Sequence, residues 1–333
     1  MRVFITGGTG FIGTRLTEKL ISENHDVTLL VRNPSAAAFS GNDKVTLIKG
    51  DLFNKAVLLE GMKNCDWVFH MAAFVKPSYK DPSIVTGINV DGTINVFDAA
   101  LESSVKKVVF TSTGGTMSYS HDGKPVDEST NPDPELHTLY EKTKVEAEKI
   151  ALDFCKNGLA VVTVNPTRVY GPGKLTESNS MTKIIRLYIS GLWRIIPGDG
   201  KSIGNYVFID DVVEGHLLAA RFGKIGERYI LGGENHSFRE LFDIIGEAAG
   251  KRRILVNLPA GLMKGIIKLV MFISKITGSA PAITMDWLDK YLNNWIMSSD
   301  KAIKELGYEI TPLSAGVSRT IQWLKTKQYG TGK

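Results

Sequence analysis

The pattern of hydrophobic and polar residues along the first half of the chain predicts alternating strands and helices. Short runs rich in valine, isoleucine and phenylalanine predict strands at residues 3–6, 27–31, 45–48, 67–70, 108–111 and 159–164. Amphipathic stretches between them predict helices at residues 11–22, 54–61, 88–103 and 139–156. Because strand–helix–strand crossovers of this kind are right-handed, the pattern predicts an α/β fold with a Rossmann-type, doubly wound parallel sheet.

The second half of the chain is less regular and begins after Pro166 with turn-forming clusters at 171–173 and 197–200. The rest of the pattern predicts a helix within 175–190, a strand at 205–209, a helix from 210, a strand at 228–231 and a capping box at 237–240. We therefore predict a nucleotide-binding Rossmann domain over residues 1–170, rejoined by segments near 205–232. Residues 171–204 and 233–330 are predicted to form a smaller, mostly helical substrate-binding lobe.

Composition narrows the function classes. Hydrophobic residues make up 43% of the 333 residues, and 40 basic residues against 35 acidic ones give a net charge of +5. The basic residues are dispersed, so a nucleic-acid partner is not expected. The two cysteines, Cys65 and Cys155, fit neither a disulfide scaffold nor a metal cluster and indicate a reducing compartment. The strand pattern that starts at Val3 is unlike a secretory signal, so we expect a cytoplasmic protein without a metal.

Residues 262–276 are the most apolar stretch of the chain, yet no unbroken apolar run there exceeds five residues. Lys264, Lys268 and Lys275 interrupt it, and a membrane span needs roughly 20 apolar residues, so no transmembrane anchor is expected. On a helix the three lysines follow one stripe. Two alternatives remain open: a lobe helix that buries its apolar residues over the pocket, or an interfacial helix that makes peripheral contact with a membrane.

A glycine-rich turn follows the first predicted strand and opens the first predicted helix. Gly7, Gly10 and Gly13 follow each other at three-residue spacing. Glycine permits the tight turn and the close helix–strand approach that such a site needs, and the helix N-terminus offers free N–H groups to a pyrophosphate. The turn predicts dinucleotide binding; a purely structural strand–helix turn is the alternative.

This spacing resembles that of the extended short-chain dehydrogenase/reductases, and four further motifs strengthen the resemblance. They are Gly50-Asp51-Leu52, F-H-M-A-A at 69–73, N-V-D-G-T at 89–93, and S-D-K at 299–301 with L-G-Y at 306–308. The chain is thereby identified as a member of this NAD-dependent epimerase/dehydratase superfamily. The resemblance implies cofactor contacts from Gly7, Thr9, Gly10, Phe11, Ile12, Gly13, Arg32, Asp51, Leu52, Ala72, Ala73, Phe74, Tyr140, Lys144, Pro166 and Val169.

The end of the second predicted strand bears on the choice of nucleotide. Members that bind NAD carry an acidic residue there for the adenosine ribose, whereas this chain has Val31 followed by Arg32. A guanidinium fork suits a phosphate dianion. The string V-R-N-P at 31–34 resembles the corresponding residues of the dihydroflavonol-4-reductase-like branch, near the 3β-hydroxysteroid-dehydrogenase-like proteins. This resemblance implies NADPH as the cofactor. We therefore predict NADP in preference to NAD; a merely solvated Arg32 is the alternative.

Tyr140 and Lys144 lie at i and i+4 of a predicted helix, so they share one face. The family resemblance makes them the proton donor and its partner, and a neighbouring ammonium is expected to lower the pKa of the tyrosine. The same resemblance gives Thr113 the catalytic hydroxyl that binds the substrate carbonyl, with Ser112 as the competitor one residue away. Asn89 resembles the asparagine that steadies the active-site backbone. Glu146 and Glu148 are expected to be solvated charges.

The substrate lobe is less well determined. Residues 165–173 resemble the family motif R-P-x-x-V-Y-G-P-G, with Asn165 in place of the arginine. Lys183, Arg186 and Arg194 could supply a basic cluster for a sugar-nucleotide diphosphate. An apolar or aromatic substrate is suggested by the candidate wall residues Met117, Tyr119, Tyr170, Met181, Trp193 and Phe208.

Three functions follow from these features. The favoured one is an NADPH-dependent reductase of a small ketone or aldehyde, with Tyr140 as the proton donor. The second is a nucleotide-sugar epimerase or dehydratase with tightly bound NAD; Val31 and Arg32 oppose it, as does Gly114 where dehydratases place an acid. The third is an NADP-sensing regulator without catalysis, which the intact Tyr140 and Lys144 oppose. The resemblance also implies a homodimer formed through a four-helix bundle.

Overall fold

A seven-stranded parallel sheet forms the centre of the molecule. The computed structural model describes residues 1–36, 38–76, 81–131, 138–277 and 284–329. The sheet consists of β1 (Arg2–Thr6), β2 (Asp26–Val31), β3 (Val45–Lys49), β4 (Trp67–His70), β5 (Lys107–Thr111), β6 (Val161–Pro166) and β10 (Arg228–Leu231). Their spatial order is β10-β6-β5-β4-β1-β2-β3, and every neighbouring pair is parallel. The predicted doubly wound α/β fold is confirmed.

Side chains alternate between the two faces of this sheet, as the two-residue period of a strand requires. Val3 and Ile5 belong to one core cluster, whereas Phe4 between them belongs to the other. The helices on this half are α1 (Phe11–Ser22), α2 (Lys55–Met62), α3 (Pro82–Thr86), α4 (Gly92–Glu102), α5 (Leu139–Lys156) and α7 (Ile209–Phe222). Helix α1 contacts α7, and α4 contacts both α2 and α5, which defines the two helical layers.

The remaining elements build the region beside the sheet. Its helices are α6 (Ser180–Ile189), α8 (Phe238–Ala249), α9 (Ala260–Thr277), α10 (Met285–Leu292), α11 (Asp300–Leu306) and α12 (Leu313–Tyr329). Its strands form a three-stranded sheet of β7 (Arg168–Tyr170), β9 (Ile203–Phe208) and β11 (Glu234–Ser237), and a pair of β8 (Ile195–Pro197) and β12 (Val256–Leu258).

Residues near 205–232, which the predicted domain division assigns to the Rossmann domain, contribute one strand to the central sheet. Strand β10 pairs with β6, whereas β9 joins β7 and β11 outside the central sheet. The division itself stays a prediction, and residues 278–283 and 330 of the predicted lobe lie outside the described residues. The short strands β7, β8, β11 and β12 were not predicted, because three or four residues give too few repeats of the strand period.

One predicted helix is interrupted in a way that serves the site. The segment expected to be one helix at 88–103 consists of a π-helical turn over Gly87–Asp91 followed by α4, and α3 directly precedes this turn. The turn contains Asn89, whose Oδ1 accepts a hydrogen bond from the Phe74 N–H at 2.7 Å and whose Nδ2 donates to Thr143 Oγ1 at 3.0 Å. These bonds tie the loop after β4 to α5. Single π-helical turns within α-helices are frequent at functional sites.

Candidate active site

A cavity of about 650 Å³ opens along the carboxyl ends of the central strands. Gly7 follows β1, Arg32 follows β2, Asp51 follows β3, Met71 follows β4 and Thr113 follows β5, and all five line it. Open parallel sheets bind their ligands at this edge, where the loops converge. The cavity is therefore the candidate active site.

The structure brings the predicted site residues together around this cavity, with one exception. Lys144 does not line it and is buried one helical turn behind Tyr140. The predicted residues that line it are Gly7, Thr9, Gly10, Phe11, Ile12, Gly13, Arg32, Asp51, Leu52, Ala72, Ala73, Phe74, Thr113, Tyr140, Pro166 and Val169.

The glycine turn is packed too closely to carry side chains at two of its glycines. Gly7 has a φ of +76°, and a Cβ there would lie 2.7 Å from the Ala72 nitrogen. A Cβ on Gly13 would overlap the carbonyl oxygen of Gly7. The Gly10 N–H closes the turn by donating to the same oxygen at 2.9 Å. A side chain at Gly7 would thus collide with the backbone after β4, and one at Gly13 would fill the space in which the turn folds back on α1.

The N-terminus of α1 is suited to an anion. Gly10 caps this helix without a side-chain hydrogen bond, and its first turn contains no acidic residue. Lys174 brings a positive charge to this helix end. Its Nζ donates a hydrogen bond to the carbonyl oxygen of Thr9 at 3.1 Å. Sequence reasoning missed Lys174, which lies far along the chain from the turn. Free N–H groups, the helix dipole and this ammonium together fit the pyrophosphate of a nicotinamide dinucleotide.

The far end of the cavity would hold the adenosine. Val31 and Arg32 line it at the end of β2, and Arg32 is exposed. Asp51 lines the same end and accepts a hydrogen bond from the Phe53 N–H at 2.9 Å. Because Val31 occupies the strand end, the acidic residue typical of NAD-binding proteins is absent from that position.

Tyr140 and Lys144 occupy successive turns of α5, as their spacing predicts. Tyr140 lines the cavity in the first turn, and Lys144 lies buried with its Nζ 4.1 Å from the centre of the Phe110 ring. Burial lowers the pKa of Lys144 to about 7, although the Glu148 carboxylate opposes this shift. Burial, reinforced by Glu141, raises the pKa of Tyr140 above its ordinary value. The structure therefore does not show the expected lowering of the tyrosine pKa, because burial and Glu141 both raise it.

The two candidate hydroxyls after β5 have different surroundings. Ser112 is buried and its Oγ donates a hydrogen bond to Glu148 Oε1. Thr113 Oγ1 accepts a bond from the Gly115 N–H at 3.2 Å, and among the described residues its own hydroxyl hydrogen is donated to none. Both residues touch the cavity. The free donor favours Thr113 as the hydroxyl that faces a substrate.

Glu148 is a buried part of the site, and its expected place among the solvated charges is wrong. Its Oε1 accepts from Asn165 Nδ2 at 2.7 Å and lies 2.9 Å from Thr116 Oγ1, in addition to its bond from Ser112. Its Oε2 faces Arg228 Nη1 at 3.4 Å. Four-residue spacing places Glu148 on the same face of α5 as Tyr140 and Lys144, which is the signal that could have found it.

Asn165 supports this network. Besides its bond to Glu148, its Nδ2 donates to the carbonyl oxygen of Thr113 at 3.1 Å. The residue that replaces the family's arginine therefore fixes the backbone of the candidate catalytic threonine.

The substrate end of the cavity contains charged residues that sequence reasoning missed. Arg168 and Lys290 line it, and Lys290 Nζ binds the buried carboxylate of Glu141. Burial opposes the ionisation of Glu141, but the Lys290 ammonium and the Thr138 hydrogen bonds lower its pKa below the ordinary value. This pair links the residue after Tyr140 to α10. A lone lysine some 150 residues away gives no sequence signal for such a contact.

The predicted pocket walls are mostly wrong. Among the candidates only Met181 lines the cavity, whereas Met117, Tyr170 and Phe208 are buried in the core. Trp193 stacks on Phe242, and Tyr119 packs edge-on against Trp295. Lys183, Arg186 and Arg194 are absent from the lining in the described part of the chain. Aromatic residues of the lobe are used for packing, so their type alone did not mark a substrate wall.

The fold and the cavity define a nicotinamide-nucleotide-dependent enzyme of the Rossmann class. The chain belongs to the NAD dependent epimerase/dehydratase family, whose model matches residues 3–232. The predicted membership of the extended short-chain dehydrogenase/reductases, near the dihydroflavonol-4-reductase-like and 3β-hydroxysteroid-dehydrogenase-like proteins, is confirmed.

Individual relatives include both reductases and epimerases by name. A "Putative dihydroflavonol 4-reductase" of Synechocystis sp. is 30% identical over 98% of this chain and 95% of its own length. A UDP-glucose 4-epimerase of Mycolicibacterium smegmatis is 32% identical over 75% of this chain and 83% of its own length. The crystal structure of gox2253 superimposes with a TM-score of 0.83 at 32% identity and covers 99% of both chains.

Two further observations concern metals and membranes. Within the ranges that the structure describes, no three His, Cys, Asp or Glu side chains are grouped so as to hold a metal ion. In the same ranges, no helix combines the length and apolar character required to cross a membrane.

Proposed function

We propose that this protein is an NADPH-dependent reductase of a ketone or aldehyde. One observation carries the proposal: Tyr140, with a raised pKa, and the hydroxyl of Thr113 line the same cavity as Val31, which stands in place of a strand-end carboxylate, and the adjacent Arg32. A nicotinamide nucleotide, when bound, supplies the hydride. The residues of the chain bind it, orient the carbonyl and provide the proton.

Each residue has a distinct part in this proposal. The Gly7–Gly13 turn and the N-terminus of α1 hold the pyrophosphate, and Arg32 binds the 2′-phosphate. Thr113 donates a hydrogen bond to the carbonyl oxygen, and Tyr140 donates the proton that the developing alkoxide requires. Lys144 stabilises the phenolate that remains after proton transfer, because its positive charge lies one turn behind on α5.

The substrate class follows from the lining of the cavity. Met71, Phe74, Val75 and Met181 supply apolar surface, so a small carbonyl compound with an apolar body is favoured. Arg168 and Lys290 add a polar end to this cavity. Cytoplasmic location and a homodimer remain part of the proposal.

An epimerase or dehydratase with retained NAD is the second candidate, and the similarity to the Mycolicibacterium epimerase favours it. The Val31–Arg32 strand end opposes this candidate, because it offers no carboxylate to the ribose of NAD.

Isotope transfer tests the proposed reduction directly. The protein is incubated with NADPH deuterated at C4 of the nicotinamide ring and a panel of aliphatic and aromatic ketones and aldehydes. We expect deuterium at the former carbonyl carbon of at least one product, with loss of NADPH in equal amount, and no transfer by the Tyr140→Phe variant. Absence of transfer across the panel, together with interconversion of a sugar nucleotide, would overturn the proposal in favour of the epimerase.

A further inference from the structure

Helix α9 has one side packed on the protein and an apolar side exposed. Ile267 and Ser274, seven residues apart on one side, are 3% and 8% exposed. The other side shows six large apolar side chains with exposures between 46% and 72%: Leu262, Ile266, Leu269, Phe272, Ile273 and Ile276. None of the described residues that line the cavity comes from α9, so the alternative of a helix burying its apolar residues over the pocket is wrong.

The exposed residues form one continuous face. Leu262, Ile266, Leu269, Ile273 and Ile276 are spaced alternately by four and three residues, the repeat of a single helix face. Single exposed apolar residues are ordinary on protein surfaces, but a contiguous face of this size marks an interaction site.

Basic residues lie along the edge of this face. Lys264 and Lys268 are exposed and precede Phe272 at four-residue spacing, so they follow one row beside the apolar face. The segment 250–277 contains six lysines and arginines and no aspartate or glutamate. The side chain of Lys275 lies outside the described residues. This segment therefore presents apolar surface and positive charge together.

The chain directly before α9 also exposes large apolar side chains. Ile254 and Val256 are 85% and 61% exposed, and Val256 pairs with Ile195, which is 38% exposed. Leu192, next to β8, is 75% exposed. Exposed apolar side chains therefore also lie on the β8–β12 pair, whose second strand directly precedes the helix in the chain.

We propose that α9 and the β8–β12 pair dock on an anionic lipid surface, with α9 lying in the plane of the membrane interface. An amphipathic helix with apolar residues on one side and lysines along the edge is the structure that binds there, since its apolar face enters the acyl boundary and its lysines meet lipid phosphates. A second copy of this chain fits less well, because it would bring two segments rich in basic residues and without acidic ones against each other. The inference goes beyond the proposed reaction and does not depend on it.

Co-sedimentation with large vesicles tests the inference. We expect the full chain to sediment with phosphatidylglycerol vesicles at low salt and to bind phosphatidylcholine vesicles at least about tenfold more weakly, because each basic residue near an anionic surface favours binding. Raising the salt concentration should release the protein. Absence of binding to phosphatidylglycerol vesicles at low salt would overturn the inference.

Two variant pairs assign the binding to this surface. Lys264→Glu with Lys268→Glu should weaken vesicle binding by about tenfold or more, whereas Lys304→Glu with Lys325→Glu, an equal charge change at exposed positions elsewhere, should have little effect.

Leu269→Gln with Phe272→Gln should also weaken vesicle binding, and Leu152→Gln with Phe222→Gln is the matched control at exposed apolar positions elsewhere. Equal effects of test and control pairs would contradict the assignment. If light scattering instead shows a dimer that only the α9 variants dissociate, the face is an interface between copies and the lipid proposal is wrong.

Discussion

The proposed nucleotide half of the cavity and its proposed catalytic half are built by different means. The nucleotide half consists of backbone turns and glycines, and its one basic side chain at the strand end, Arg32, is exposed. The catalytic half is lined by Thr113 and Tyr140 and is supported from behind by buried side chains around Glu148 and Lys144. Substitutions should therefore separate the two functions: at Arg32 they should change which nucleotide binds, and in the network they should change turnover while the nucleotide still binds.

The largest effect is expected from Tyr140→Phe. Removal of the proton donor should lower turnover by about 100-fold or more, because general acid catalysis typically contributes that much. NADPH binding, followed by quenching of protein fluorescence, should stay within about threefold of the unmodified protein. A variant that keeps half the normal rate would rule out the assigned role of Tyr140.

Arg32→Ala should change nucleotide binding, which Tyr140→Phe leaves nearly unchanged. Loss of a charge-assisted hydrogen bond to the 2′-phosphate implies about tenfold to hundredfold weaker NADPH binding, with NADH binding nearly unchanged. Val31→Asp should have a larger effect, since its carboxylate would repel the phosphate and accept bonds from a free ribose. Fluorescence titrations with both nucleotides measure this. A solvated Arg32 would instead change both affinities weakly and equally.

The two hydroxyls after β5 offer a matched pair within the catalytic half. Thr113→Ala should lower kcat/KM by about tenfold to a hundredfold, because the hydrogen bond to the carbonyl oxygen is lost. Ser112→Ala should have a smaller effect on the reaction and a cost in stability, since it removes one donor from buried Glu148. Steady-state kinetics and thermal unfolding of both variants separate the roles. Reversed kinetic severities would transfer the catalytic role to Ser112.

The smallest effect concerns pH and tests Glu148 as a positioning residue. Its carboxylate opposes the lowering of the Lys144 pKa, which burial brings to about 7. Glu148→Gln removes this support, so Lys144 should lose its proton at lower pH than in the unmodified protein. If charged Lys144 is required, the alkaline limb of the kcat/KM profile should shift to lower pH. Glu146→Gln, at an exposed position on the same helix, is the control, and an unchanged limb in Glu148→Gln would contradict the role.

Sequence reasoning succeeded where a residue's task is set by local backbone geometry. The turn at Gly7 and the helix beginning at Phe11 were both predicted correctly. The alternation of the strand, the glycine spacing and the helix start all lie within a few residues of each other. The row Tyr140–Lys144 was found by its four-residue spacing, although the next member, Glu148, was assigned to the surface. A charged residue at that spacing can face either solvent or core, and only the packing of β5 and β6 against α5 decides.

The substrate end could not be predicted for a different reason. Lys290 meets Glu141 across 149 residues of chain, and Arg168 lies in a strand too short to show a period. Such contacts depend on how the lobe elements pack on the central sheet. Composition alone suggested aromatic walls, but Tyr170 and Phe208 are used in the core that holds the lobe together.

The identity of the nucleotide that accompanies the purified protein tests the central claim most directly. The protein is purified without added nucleotide, denatured, and the released small molecules are identified and quantified against protein. A reductase that exchanges its cofactor in each cycle should release little nucleotide and should then bind added NADPH to saturation, more tightly than NADH. One equivalent of retained NAD, with no site left for added NADPH, would contradict the account and favour an epimerase.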